Sequence, residues 1–131
     1  MILSRILAAA LSLSHVPDQA AVDAIETAAR AAHVPVALAL AVCTVESGIG
    51  TRGDILCGCY VRHAGVVDTS TAAQARCVAG TLAAGWRSCG SWAGALRRYR
   101  YGLADHGCPL ADPRRYVDRV SVYARRLGVV L

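Results

Sequence analysis

The segment ALAVCTVESG, residues 39–48, ends an apolar run in an acidic side chain, Glu46, followed directly by Ser47 and Gly48. At the C-terminal end of a helix the free carbonyl oxygens carry partial negative charge, which stabilises a cation and repels a carboxylate. Helix stability therefore does not account for Glu46. Burial in an apolar helix and the helix end both disfavour the ionised form, so this acid is expected to hold its proton near neutral pH. That is the requirement for a general acid, and in glycoside cleavage such an acid protonates the leaving oxygen. The plain alternative is a glutamate at a frayed helix end, facing water. The second glutamate of the chain, Glu26, falls on the outward face of the preceding helix. Asp54 is the nearby carboxylate available as a second catalytic group, and beside Gly53 it equally fits a turn.

Six cysteines, Cys43, Cys57, Cys59, Cys77, Cys89 and Cys108, are dense for so short a chain and fit an exported protein stapled by disulfides. Cys57 and Cys59 are too close to bridge each other without strain, so each is expected to pair elsewhere. Cys57, Cys59, His63 and Cys77 are conceivable zinc ligands, but the spacing lacks the two tight pairs of common structural sites, and no metal or other cofactor is expected.

The elements that must hold these residues read as consecutive helices. Asp18 caps one running to about Ala32, with Ala21, Ile25, Ala28 and Ala32 on one face. Pro35 stands in the first turn of the next and Gly48 just past its end, and its nearly all-round apolar surface makes it the central helix. Residues 49–69, rich in Gly and Cys, form a small irregular loop or β element. Thr71 to Gln74 reads as a capping box opening a helix to about Gly85. Ser91 caps the next, which Gly102 closes. Asp112 with Pro113 opens the last, with Tyr116, Val120, Tyr123 and Leu127 on its inner face and Gly128 as its stop.

With 131 residues the chain makes one mainly α domain, residues 15–131. Residues 1–14 read as a short export signal or an N-terminal hydrophobic segment. No stretch is long and apolar enough to span a bilayer. All 14 basic residues are arginine, eight of them from Arg97 onward, and the net charge is +5. Such a surface attracts polyanions, among them an acidic cell wall. An arginine-rich nucleic-acid binder is the competing class, but no base-reading signature accompanies the charge, so no nucleic-acid partner is expected.

Three blocks together resemble the soluble lytic transglycosylase-like domains of the lysozyme-like superfamily. PVALALAVCTVESGIG is similar to their catalytic helix, which ends in Glu-Ser. ALRRYRYG, residues 95–102, is similar to Ala-Leu-x-x-Tyr-Asn-Ala-Gly, with Arg100 where Asn is usual. YVDRVSVYARRLG, from Tyr116, is similar to their closing helix. The resemblance covers roughly residues 19–128. The family's Gly-Leu-Met-Gln has no counterpart beyond Gly58-Cys59-Tyr60-Val61, which departs from it in lacking the Gln. The resemblance implies a lysozyme-like fold and a monomer that cleaves peptidoglycan glycan strands in the periplasm, outside the cell or on phage delivery. Glu46 would protonate the oxygen bridging N-acetylmuramic acid and N-acetylglucosamine. It would then take the proton of the muramic acid 6-hydroxyl, giving a 1,6-anhydro end with help from the 2-acetamido group. Ser47, Gly58, Tyr60 and Tyr99 would contact substrate or acid, Tyr60 as a stacking platform and Tyr99 by reaching toward Glu46. A hydrolysing muramidase of the same fold and a wall-binding module with weak catalysis are the nearest alternatives.

Overall fold

The computed structural model describes residues 2–51, 56–102 and 107–131. Among these there are six helices and one short hairpin: α1 (Ile2–Ala10), α2 (Gln19–Ala31), α3 (Val36–Ser47), β1 (Val61–His63), β2 (Val66–Asp68), α4 (Thr71–Cys89), α5 (Trp92–Tyr101) and α6 (Tyr116–Arg126). The fold is mainly α, and no described helix is long and apolar enough to cross a membrane.

Local chemistry sets most boundaries. The Asp18 carboxylate accepts the Ala20 N–H at 3.1 Å and starts α2. Ser70 and Ser91 cap α4 and α5 by accepting from Ala73 N–H and Gly94 N–H. The strands pair antiparallel with His63 opposite Val66, leaving Ala64 and Gly65 as a two-residue turn. Both turn residues have positive φ, 50° and 81°, which a tight hairpin with the natural twist demands.

Helix α3 is buried from Leu38 through Thr44, and α2 and α6 pack against it. Leu38, Leu82, Leu96, Ile25 and Val120 form the centre of the core. At its N-terminal edge, Leu7 and Leu11 of the first segment enter the same core, and the Arg126 guanidinium donates to the Ser12 hydroxyl at 3.1 Å.

Four boundaries differ from the sequence reading. Pro35 stands at the cap position, one residue before α3. The α4 cap is Ser70, and Gln74 turns inward instead of closing a capping box with Thr71. Helix α4 continues past Gly85 to Cys89, because Gly85 is a crossing point and Gly90, at φ 71°, is the stop. A methyl on Gly85 would stand 2.9 Å from the Ala95 Cα of α5, so hydrogen is the side chain that fits. Finally, α6 starts at Tyr116, and Asp112 caps it from four residues upstream, accepting the N–H groups of Tyr116 and Val117, each at 2.8 Å. The buried line of α6 is Tyr116, Val120 and Ala124, with Tyr123 and Leu127 only half-buried.

Candidate active site

Glu46 lies on the last turn of α3, one residue before Ser47 closes the helix. The chain then turns through three successive left-handed residues, Gly48 (φ 62°), Ile49 (φ 55°) and Gly50 (φ 79°). A β-branched residue in that region is strained, at a cost of about 1–3 kcal/mol. Burial of the Ile49 side chain, 1% exposed, offsets that cost. The Gly48 and Ile49 N–H groups bond back to the Thr44 and Cys43 carbonyls and so occupy part of the helix end.

The segment that returns beside this end is held at several points. Cys57 is bonded to Cys43 of α3, and Cys59 to Cys77 of α4. The third disulfide, Cys89–Cys108, ties the end of α4 to the approach of α6. Cys57 and Cys59 thus take separate partners, as their spacing requires, and the thiols a zinc site would need are consumed. The buried Gln74 amide oxygen accepts the Leu56 and Cys57 N–H groups at 2.9 and 3.2 Å, while its nitrogen donates to the Thr69 carbonyl. Ser47 donates to the Leu56 carbonyl and accepts the Gly50 N–H. Its hydroxyl is buried and hydrogen-bonded to backbone, so Ser47 braces the helix end. Gly58 sits between the two bridged cysteines at φ 70°, a conformation that glycine adopts without strain. Tyr60 is 40% exposed just ahead of β1. Asp54 and Gly53 lie outside the described residues.

Glu46 itself is exposed, so the burial expected from the apolar helix is absent. Helix α3 turns its apolar faces to α2 and α6, and Glu46, with buried Thr44 before it and buried Ser47 after it, falls on the side of the last turn that is left open. Its Oε1 accepts a hydrogen bond at 2.9 Å from the hydroxyl of Tyr116, the first residue of α6. Tyr116 is 1% exposed, and Tyr99 of α5 lies parallel to it with centroids 6.4 Å apart. Tyr99 therefore backs the donor and does not itself bond Glu46 in the described contacts. Burial first, then the Glu46 charge, pushes both phenols well above their ordinary value. Tyr116 stays a donor at every working pH. Arg100 partly offsets that shift, which places its charge near the tyrosine, and the Arg119 guanidinium stands 5.6 Å over the Tyr116 ring. Two cations thus stand near Tyr116.

The other described carboxylates are engaged elsewhere. Glu26 pairs with Arg30 at 3.0 Å and Asp118 with Arg115. Asp18 and Asp112 cap helices, Asp23 accepts from Gln19, and Asp68 accepts the Ser70 N–H. Sequence reasoning missed Tyr116 as the partner of Glu46 because its spacing placed it in the core. The usable signal was that a buried phenol needs an acceptor for its hydroxyl. Comparison with family models, with curated proteins and with solved structures finds no match to this chain.

Proposed function

We propose that this protein is a peptidoglycan lytic transglycosylase of lysozyme-like fold, with Glu46 as its single acid and base. One observation carries the reading: a solvent-facing carboxylate at the end of a buried helix, held by a buried tyrosine from the closing helix. Structural duty would be served by a lysine or a small polar residue there.

A glycan strand lying over Glu46 displaces the water that now reaches it. Glu46 then gives its proton to the bridging oxygen as the bond to the muramic acid C1 breaks, while the 2-acetamido oxygen bonds to C1. The resulting carboxylate takes the proton of the 6-hydroxyl as that oxygen attacks C1 and the acetamido oxygen leaves. No water is consumed and no second carboxylate is required. Tyr116 fixes the position of Glu46, and Arg100 and Arg119 favour the anionic polymer at the rim. Three disulfides fit a protein that folds in an oxidising compartment, where such a wall lies.

Exposure of Glu46 favours one second reading, a wall-binding module with little turnover. Digestion of purified peptidoglycan followed by mass analysis separates the readings. Released fragments with 1,6-anhydro ends support the transglycosylase, reducing ends convert it to a muramidase and bring Asp54 forward, and binding without release leaves a module.

A further inference from the structure

We propose a second carbohydrate site, separate from Glu46, in which Trp86 and Trp92 stack on the sugar rings of a glycan and Arg87 meets an acidic group on it. A groove of about 370 Å³ runs between the end of α2, the last turns of α4 and the start of α5, lined by Ala32, His33, Ala83, Trp86, Arg87 and Trp92. These are the only two tryptophans of a chain poor in aromatics. Their ring centroids are 5.9 Å apart with planes inclined at 33°, and Trp86 is 47% exposed.

Trp92 packs in part against the core, but packing does not explain the exposed Trp86 beside it. The close approach of α4 to α5 is made by Gly85 against Ala95, so neither indole is needed to join the helices. Exposed apolar clusters of this kind mark binding surfaces. Among the described residues neither the Arg87 guanidinium nor the His33 imidazole makes a hydrogen bond or ion pair, and both are exposed at the groove.

The dimensions and charge select the ligand. A cleft of this volume takes a few sugar units, whereas a stable protein partner covers about 800 Å² on each side. A nucleic acid strand needs a run of cations along its phosphates. This groove offers Arg87, while the arginines concentrate on α5 and α6. An indole face matches the apolar C–H face of a pyranose, and one guanidinium matches the scattered carboxylates of a wall glycan. The choice of a wall glycan rests on the proposed function; the groove does not.

Placement is consistent with a hold on the same polymer. The groove adjoins the starts of α3 and α5, whose far ends carry Glu46 and Tyr99. Helix rise puts Glu46 about 15 Å along α3 from its start beside the groove.

Both tryptophans lie in the groove, so tryptophan emission reports it alone. The full chain and its Glu46→Gln, Trp86→Ala, Trp86→Tyr and Arg87→Gln variants are titrated with the tetramer of N-acetylglucosamine, with a muropeptide carrying free carboxylates, and with single-stranded oligothymidylate. The sugar should shift the emission of wild type and Glu46→Gln with the same Kd. Trp86→Ala should weaken binding about tenfold with unchanged helical circular dichroism, and Trp86→Tyr should recover most of it. Arg87→Gln should weaken the muropeptide and spare the neutral tetramer. Emission indifferent to both sugars, an affinity unmoved by Trp86→Ala, or a response to the oligonucleotide alone overturns the proposal. If emission responds while peptidoglycan is not cleaved, the transglycosylase reading falls and the groove stands.

Discussion

Two aromatic pairs share helix α5, and they are built in opposite ways. Tyr99 and Tyr116 lie parallel, are largely buried, and direct a hydroxyl at one carboxylate. Trp86 and Trp92 are tilted and partly open to water, and no carboxylate lines their groove. The first pair fixes one polar atom and leaves little surface; the second presents surface and fixes nothing. Positioning chemistry needs the first kind of pair, and holding a polymer needs the second.

The contrast can be broken from either end. Replacing Cys43 and Cys57 together by Ser removes the closure of a 14-residue separation and should cost about 3 kcal/mol, read as a lower thermal midpoint without reductant. Cleavage should fall with it, because the end of α3 loses its brace, while sugar-induced tryptophan emission should persist at temperatures where the variant stays folded. Tyr116→Phe keeps the ring stack and deletes the donor to Glu46. Turnover should drop roughly tenfold with KM nearly constant, and stability should fall by about 1 kcal/mol. A variant with normal turnover would make the tyrosine pair mere core. Asp112→Ala should cost about 1 kcal/mol through the lost cap of α6 and loosen Tyr116.

Asp112 also predicts a pH dependence. Desolvation alone would raise its carboxyl, but the Tyr101 hydroxyl, the Val117 and Tyr116 N–H groups and the Arg97 charge outweigh it and hold the group below its ordinary value. A carboxylate depressed in the folded state contributes stability above its unfolded value and loses it as pH falls through the folded one. Acid unfolding curves of wild type should therefore steepen below about pH 4, and those of Asp112→Ala should be flatter there. The effect is small, because Asp112 is only half-buried.

Much of the scaffold was legible because its signals are local. Asp18, Ser91 and Gly48 each act within a few residues, and the ring strain that separates Cys57 from Cys59 is a property of adjacent positions. What escaped was set by distant contacts. Gly85 reads as a stop until Ala95 is seen against it, and Gln74 reads as a cap until the Cys57 backbone arrives to claim it. Glu46 was legible as a residue out of place, but its exposure depends on which side of the last turn of α3 the neighbouring helices leave open, and its donor is 70 residues away. Trp86 and Trp92 look unrelated in sequence because a helix end and a cap stand between them.

The most direct test is a paired digestion of purified peptidoglycan by wild type and Glu46→Gln, a near-isosteric change that removes the titrating proton. The account predicts 1,6-anhydro fragments from wild type, a loss of at least about 100-fold in the variant, and equal tryptophan emission responses from both. Equal release of fragments by the two proteins would contradict it.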